Sequence, residues 1–327
     1  MSDSLTHWSD HRLASAYAPP VRSRLPADVL LGTCVIIWGF NFTVIKYALG
    51  HGFTPLAFGS ARFAIATAAF AGVTLSRRES PRVSRRDLLS IMAWSAAIVV
   101  NQIGFVYSFR FARASTVALL FGTLPIFAGI YSQLWGIERL NSRRWTAAAV
   151  SFAGVCLVAI GVHGGPSGGA GGILIALIAP ATFALYSIGL TPYVRKYGTY
   201  TVNLLVSLFA LPPLLAVASP QLGSTHWSAI PPLGWAALAF SSLVAYALTN
   251  LLWFVAIERV GTARASVYAN LQPFLGAVFA LVILSETMGS FEWLGGAAIA
   301  AGIVISRTGS AKWKHGSPLE AEIAPHE

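Results

Sequence analysis

Long apolar stretches recur along the whole chain, and short polar or proline-containing segments separate them. Each stretch can cross the roughly 30 Å hydrocarbon core of a bilayer as an α-helix, which needs about 20 predominantly apolar residues. A helix also satisfies its own backbone hydrogen bonds where no water is present. The pattern therefore predicts an all-α polytopic membrane protein. The ten predicted transmembrane helices cover residues 27–49, 55–75, 88–108, 114–135, 145–162, 172–193, 200–218, 232–256, 264–284 and 292–307.

The amino-acid composition supports the same class of protein. Hydrophobic residues make up 55% of the 327 residues, and charged residues make up only 10%. Ordinary globular chains carry about 25% charged residues, so a soluble protein this apolar could not cover its surface with polar groups. The first apolar stretch is also too long for the apolar core of a signal peptide, and it is expected to remain as a transmembrane helix.

The positive charges are distributed very unequally between the predicted loops. With a cytoplasmic N-terminus, eighteen of the 22 Lys and Arg residues fall in cytoplasmic segments, and only Arg110 and Arg113 fall on the opposite side. The remaining two, Lys46 and Arg62, lie within predicted helices. Because cytoplasmic loops are enriched in Lys and Arg, we predict a multi-pass inner-membrane protein with both termini in the cytoplasm. The net charge of +10 then reflects membrane topology, and no nucleic-acid partner is expected.

The two halves of the sequence align at an offset of 148 residues. The rarest matches at this offset are Pro125 with Pro273, Glu138 with Glu286, Trp145 with Trp293, and Gly154 with Gly302. Five helices per half is an odd number, so the halves should enter the membrane in opposite senses. The loops agree, because three arginines follow Glu138 whereas no basic residue lies near Glu286. Inverted repeats are typical of transporters that work by alternating access, with the substrate site near the middle of the membrane.

Several motifs, in their order and spacing, resemble the EamA branch of the drug/metabolite transporter superfamily. They are WGFNF at Trp38–Phe42, PLAFGSARF at Pro55–Phe63, the Pro125 and Glu138 pair, and GTARASVYANLQPFLGAVFALVILSETM at Gly261–Met288. The resemblance implies two five-helix repeats and, by analogy, export as the direction of transport. The predicted organisation is a cytoplasmic tail (1–26), a first repeat (27–162), a glycine-rich linker (163–171), a second repeat (172–307) and a second cytoplasmic tail (308–327).

The two cations inside predicted helices are the first candidates for a functional role. Arg62 lies about 10 Å into the second helix, at 1.5 Å per residue, whereas Lys46 is nearer the outer end of the first helix. Every Asp, Glu and His lies at a helix end, in a loop or in a tail. In one interpretation Lys46 snorkels to the membrane interface and Arg62 bonds backbone carbonyls of a neighbouring helix. In the other, one or both lend positive potential to a cavity that receives an anionic group such as a carboxylate.

Polar and aromatic residues at helical spacing suggest a cavity between helices. On the eighth helix Tyr246, Thr249, Asn250 and Trp253 fall at i, i+3, i+4 and i+7, which predicts one polar stripe. Interhelical hydrogen bonds explain such a stripe as well as a substrate cavity does. Pro125 and Pro273 are interpreted as hinges or as static kinks. The predicted substrate-binding residues are Trp38, Asn41, Arg62, Asn101, Gln102, Tyr186, Tyr246, Asn250, Trp253 and Gln272.

These observations predict a secondary transporter, not an enzyme, for a small amphipathic metabolite such as an amino acid or a drug-like compound. An antiporter of phosphorylated or nucleotide-linked metabolites, an integral membrane enzyme acting on lipid, and a channel are the alternatives. The sequence has no nucleotide-binding Gly-x-x-x-x-Gly-Lys loop, and we predict no cofactor and no metal site. The expected partners are the lipid bilayer, a small-molecule substrate and, in one interpretation, a second copy of the chain in a homodimer.

Overall fold

The computed structural model describes residues 26–76, 83–136, 142–161, 169–253, 255–256 and 268–307. These residues form a helical bundle, and a single turn of 3-10 helix at Trp227–Ala229 precedes the eighth helix. The helices are α1 (Ala27–Gly50), α2 (Pro55–Ser76), α3 (Arg85–Phe111), α4 (Ala114–Leu134), α5 (Ser142–Gly161), α6 (Gly169–Tyr197), α7 (Thr199–Ser224), α8 (Pro232–Trp253), α9 (Gln272–Ile283) and α10 (Ser290–Arg307).

Seven of these helices, α1 to α4 and α6 to α8, are long and apolar enough to cross a membrane. The other three contain shorter apolar segments, so the count of ten crossings stays a prediction. Two boundaries agree closely with the sequence analysis, since α1 ends at Gly50 and α2 covers Pro55–Ser76. The predicted start of the ninth helix, Glu138, most of the linker and nearly all of both tails lie outside the described residues.

Local sequence explains where several helices begin. α2 and α8 start at Pro55 and Pro232. Proline suits this position because its fixed φ matches the first turn and its missing N–H is not needed there. α3 follows Ser84, whose Oγ accepts a hydrogen bond from the Asp87 backbone N–H at 3.2 Å and caps the helix.

The contacts between helices are symmetric with respect to the two halves, α1–α5 and α6–α10. Three pairs of equivalent helices pack on each other, namely α5 with α10, α4 with α9, and α2 with α7. Other contacts come in exchanged pairs, since α3 packs on α6 as α8 packs on α1, and α1 packs on α9 as α6 packs on α4. This pattern is expected when a two-fold axis relates two copies of one five-helix unit.

Equivalent helices run in opposite directions where they pack. The contacts between α5 and α10 join Arg143 to Ile305, Gly154 to Gly295, and Gly161 to Glu292. Residue numbers therefore fall along α10 as they rise along α5. The approach is close, because a Cβ on Gly154 would lie 2.6 Å from the carbonyl oxygen of Gly295. Only glycine allows the two backbones to come this near.

The other two equivalent pairs show the same antiparallel order. In α4 and α9, Ala114 is bonded to Glu286 just after α9, while Gly122 lies against Pro273 near the start of α9. In α2 and α7, the Leu56 N–H at the start of α2 donates a hydrogen bond to Gln221 near the end of α7. Antiparallel packing of equivalent helices is the arrangement that an inverted repeat requires.

Two helices are interrupted near the prolines that the sequence analysis singled out. α4 consists of Ala114–Phe121 and Leu124–Leu134, and α9 begins at Gln272 after a turn at residues 270–271. The interpretation of Pro125 and Pro273 as hinges or as static kinks stays a prediction. Pro125 and Pro273 are the second residues of new helices, where no backbone hydrogen bond is lost.

Candidate functional site

The structure divides the predicted site residues among several places. Trp38 meets the end of α8, which carries Asn250 and Trp253, and Gln272 lies at the interruption of α9. Asn41 is buried in α1, and its Oδ1 has no hydrogen-bond partner among the described residues. The largest set comes from α2, α3, α6 and α8 and comprises Arg62, Asn101, Gln102, Tyr186 and Tyr246.

Arg62 starts a chain of side-chain hydrogen bonds across three helices. Its Nη2 donates to Oε1 of Gln102, and Nε2 of Gln102 donates to Oδ1 of Asn101 at 2.9 Å. Nδ2 of Asn101 then donates to the carbonyl oxygen of Ala179 in α6 at 2.8 Å. The carbonyl tie expected for Arg62 was wrong, because a side-chain amide on α3 lies within reach of the guanidinium and accepts its bond.

Arg62 is 3% exposed, and its guanidinium has little to balance its charge. Its Nε is buried without a hydrogen-bond partner in the described part of the chain. The Cζ atom lies 5.5 Å from the centroid of the Phe105 ring and 5.7 Å from that of Tyr246. Aromatic rings attract a cation, but they do not neutralise it.

Aromatic rings continue from Arg62 towards α4 and α6. The Phe105 and Phe121 centroids are 5.8 Å apart, those of Phe121 and Phe183 are 6.3 Å apart, and those of Phe183 and Tyr186 are 5.9 Å apart. With Tyr246 these four residues form what we call the central aromatic cluster. Phe105, Phe121 and Phe183 were not among the predicted site residues, because phenylalanine in an apolar helix gives no signal that separates a cavity wall from the core.

The residues of the predicted α8 stripe face two different helices. Thr249 accepts a hydrogen bond from Nε1 of Trp38 at 2.7 Å, and the Trp253 ring lies 5.0 Å from the Trp38 ring. Tyr246 instead packs against Phe63 of α2, with centroids 5.7 Å apart. The predicted stripe therefore borders both α1 and α2, and its role as a cavity wall stays a prediction.

Asn250 and Gln272 do not join the Arg62 hydrogen-bond chain. Nδ2 of Asn250 donates to the Tyr246 carbonyl oxygen of its own helix at 2.6 Å. Gln272 lines a small cleft where the interruptions of α4 and α9 face each other. The cleft is lined by Phe121, Gly122, Leu124, Pro125, Ala269, Asn270, Gln272 and Pro273. Phe121 belongs both to this cleft and to the central aromatic cluster.

Lys46 occupies a very different environment at the end of the bundle where α1 terminates, which we call the Gly50 end. Its Nζ donates to the carbonyl oxygens of Phe109 and Ala112, at 2.6 and 2.9 Å. These carbonyls belong to the last turn of α3 and the residue after it, where free acceptors and the helix dipole favour a cation. Carbonyl bonding, expected for Arg62, is thus made by Lys46.

Glu286 connects the second repeat to α4 at the same end. Its Oε1 accepts a hydrogen bond from the Ala114 N–H at 2.8 Å. Its Oε2 accepts from the N–H and the hydroxyl of Ser115, at 2.9 and 2.6 Å. These bonds satisfy the first N–H groups of α4, where a negative charge is favourable. The sequence analysis used Glu286 only to align the halves.

Glu292 lies beside it and is almost fully buried, with 2% exposure. Its carboxylate accepts hydrogen bonds from the Thr116 hydroxyl at 3.0 Å and from the Gly289 N–H at 2.8 Å. It also forms a 3.3 Å ion pair with Arg113, whose side chain is half-exposed. The contact joins α4 of the first repeat to α10 of the second, and no sequence pattern in either helix indicated it.

The opposite end, where α1 begins, has ionic contacts of its own. Asp87 of α3 pairs with Lys196 at the end of α6 at 2.9 Å and also accepts a hydrogen bond from Tyr197. Asp28 of α1 accepts a hydrogen bond from Tyr268 at 2.9 Å. All four described carboxylates are therefore bonded at one end of the bundle or the other.

The fold defines a class, a helical membrane bundle built from two repeats whose equivalent helices pack antiparallel. Comparison with known proteins identifies the family. Residues 25–160 and 170–308 match the EamA-like transporter family, one match for each half, and the chain belongs to this family. The resemblance deduced from the sequence motifs is confirmed, and so is the two-repeat organisation.

Individual relatives cover nearly the whole chain at low identity. The protein called uncharacterized inner membrane transporter YedA, from Escherichia coli K12, is 24% identical over 93% of this chain and 96% of its own. A probable amino-acid metabolite efflux pump of Salmonella typhimurium LT2 is 26% identical over 83% of this chain and 91% of its own. A solved crystal structure superposes with a TM-score of 0.59 over 87% of this chain and 98% of that one, at 16% identity, and shows the shared fold.

Proposed function

We propose that this protein is a secondary transporter of the inner membrane that exports a small amphipathic metabolite by alternating access. The observation that carries the proposal is the antiparallel packing of equivalent helices from two repeats of a transporter family. Such a unit can exchange the conformations of its halves and so open to either side around a central site. Export is supported by the relative named as a metabolite efflux pump.

The proposed substrate site lies between the Arg62 chain, the central aromatic cluster and the cleft at the two helix interruptions. Interrupted helices at equivalent places are a recurrent feature of transporter binding sites, because their free backbone groups face the substrate. Aromatic rings mixed with neutral amides suit an organic solute better than a bare ion. Trp38, Asn41, Tyr186, Asn250, Trp253 and Gln272 complete the proposed lining.

In this proposal the Gly50 end faces outwards and the state described is closed there. Glu286 and Glu292 bond the start of α4 to the second repeat at that end. Both termini would lie in the cytoplasm. Arg85, Arg86, Arg195 and Lys196 at the other end agree with this orientation.

The membrane orientation can be tested with single cysteines in a background without Cys34 and Cys156. Asn141→Cys should react only with an impermeant thiol reagent applied from the cytoplasmic side, and Ser290→Cys only from the outside. Reaction of both from one side would contradict ten crossings with inverted halves.

Transport itself can be tested with purified protein in proteoliposomes. Counterflow of a panel of amino acids, aromatic acids and cationic drugs should show saturable movement of one class, without ATP. A phosphorylated-metabolite antiporter would instead exchange phosphate esters. If no panel member moves faster than in empty vesicles, the proposed function is wrong.

A further inference from the structure

Arg62 carries a charge that the rest of the described protein does not match. The four described carboxylates, at Asp28, Asp87, Glu286 and Glu292, are bonded at the bundle ends, and none forms an ion pair with Arg62. A guanidinium stays charged in proteins, and burying a charge without a partner is strongly unfavourable. Arg62 therefore has no counter-charge among the described residues.

The hydrogen-bonding capacity of Arg62 is also largely unused. A guanidinium has five N–H donors in a planar fork. In the described residues one bond is made, from Nη2 to Gln102, and the neighbouring Nε is buried without a partner. Nε and the second N–H of Nη2 lie on one side of the fork, from which an arginine can donate two parallel hydrogen bonds to the two oxygens of a carboxylate.

We propose that Arg62 binds the carboxylate of the transported substrate through this edge, with Gln102 and Asn101 holding the guanidinium in place. The inference rests on the proposed transport function, which it sharpens by naming the substrate class. The chain from Gln102 through Asn101 to the Ala179 carbonyl fixes the guanidinium from the side of α3 and α6. Gln102 and Asn101 are thus positioning residues, and Arg62 alone supplies the charge.

The side chains around Arg62 indicate the chemistry of the rest of the substrate. The rings of Phe105 and Tyr246 lie within 5.7 Å of the guanidinium carbon, and the central aromatic cluster continues towards the cleft. The other described intramembrane cation, Lys46, is bonded to the end of α3 and is not available here. One cation beside several aromatic rings fits a monocarboxylate with an apolar or aromatic body. A phosphate ester carries about two charges and usually requires more than one cation.

Binding to the purified full-length protein in detergent tests this proposal without requiring transport. The probes are 3-phenylpropanoate, its neutral amide 3-phenylpropanamide, and 3-phenylpropyl phosphate, together with hexanoate and hexanamide. A charge-assisted bond predicts that each carboxylate binds roughly ten- to a hundred-fold tighter than its amide. Equal affinity within both pairs, no binding of any probe, or tighter binding of the phosphate would overturn the assignment.

Three variants separate recognition from a structural role. Arg62→Gln should abolish the preference for carboxylate over amide, and Arg62→Lys should restore part of it. Gln102→Glu places a carboxylate beside Arg62 without changing the size of the side chain. It should abolish carboxylate binding while the protein stays folded, because the internal carboxylate occupies the guanidinium. Carboxylate selectivity that persists in Gln102→Glu or Arg62→Gln would contradict the proposal.

Lys46→Gln is the matched control, since it removes the other intramembrane cation and should leave the carboxylate-to-amide ratio unchanged. A selectivity loss in Lys46→Gln equal to that in Arg62→Gln would overturn the assignment to Arg62. Failure of this inference and failure of the proposed function remain distinguishable. Selective binding without counterflow refutes transport alone, and counterflow of neutral or cationic solutes without carboxylate selectivity refutes the role of Arg62 alone.

Discussion

The Gly50 end and the middle of the bundle treat buried charge in opposite ways. At the Gly50 end the ammonium of Lys46 meets two carbonyl oxygens, and the Glu292 carboxylate meets three donors including Arg113. In the middle, Arg62 is as buried as Glu292 but has one hydrogen bond and no described ion-pair partner. The described residues supply partners for the charges of the first arrangement, whereas they supply no counter-charge for the second.

Whether a buried charge has a partner indicates its role, in stability or in function, more clearly than its degree of burial does. Removing one partner of a matched buried charge destabilises the fold strongly, because the other partner is left without compensation. An unmatched buried charge lowers stability, so its removal should help the fold and harm only the activity that uses it. The same kind of substitution is therefore expected to change stability in opposite directions in the two regions.

The largest effect is expected for Glu292→Gln. The substitution removes the charge that Thr116, Gly289 and Arg113 share, and it places an amide NH2 among donors. We expect the free energy of unfolding to fall by about 3 kcal/mol. The measurement is thermal unfolding of the purified variant in detergent, followed by intrinsic fluorescence.

Arg113→Gln is the control for this prediction. Arg113 is half-exposed, and Glu292 keeps its bonds from Thr116 and Gly289 in this variant. Its melting temperature should fall clearly less than that of Glu292→Gln. Equal melting temperatures for Glu292→Gln and the wild type would show that the Gly50 end does not depend on its matched charges.

A smaller effect of opposite sign is expected for Arg62→Met. Methionine keeps much of the length and packing of arginine but removes the unmatched charge. Replacing buried ionic groups by apolar ones is often stabilising by about 1–4 kcal/mol, and we expect a value at the low end because Gln102 loses its partner. Melting temperature should therefore rise while counterflow of carboxylate substrates is lost. A clear fall in melting temperature would mean that Arg62 stabilises the fold.

Long-range order in this protein followed from its sequence, whereas local interruptions did not. Proline at the start and an uninterrupted apolar run placed α2 within a residue of Pro55–Ser76, and the 148-residue offset indicated the inverted halves. At the interruption of α4, Gly122 lies against Pro273, which belongs to the other repeat. A contact between residues this far apart leaves no trace in hydropathy.

The sequence likewise did not predict the contacts within the candidate site. Arg62, Gln102 and Asn101 stood out because polar groups are rare in apolar helices, but their order as one hydrogen-bonded chain requires the packing of α2 on α3. The α8 stripe also stood out in the sequence, but its contacts with Trp38 of α1 and Phe63 of α2 did not. Sequence thus identified the polar residues without identifying their partners.

Lys46→Met should lower stability, as is expected for Glu292→Gln, but by a smaller amount. The substitution removes the bonds to the Phe109 and Ala112 carbonyls, but these groups lie at a helix end where water can replace the ammonium. We expect a loss of about 1 kcal/mol in thermal unfolding, with counterflow retained. A rise in melting temperature like that expected for Arg62→Met would remove the distinction between the two cations.

The smallest change in stability is expected for Pro273→Ala, which tests the middle of the bundle as a moving part. Pro273 is the second residue of α9 and donates no hydrogen bond to the preceding turn, so it keeps the interruption open. Alanine gains that N–H but makes the unfolded chain more flexible, and the net change should stay within about 0.5 kcal/mol. If the interruption bends during transport, alanine should slow counterflow because it allows the helix to become continuous.

Pro273→Gly is the matched control, since glycine also lacks the ring but disfavours helix, and this variant should transport faster than Pro273→Ala. Wild-type counterflow rates in both variants would show that the interruption is static, and that motion between the repeats arises elsewhere.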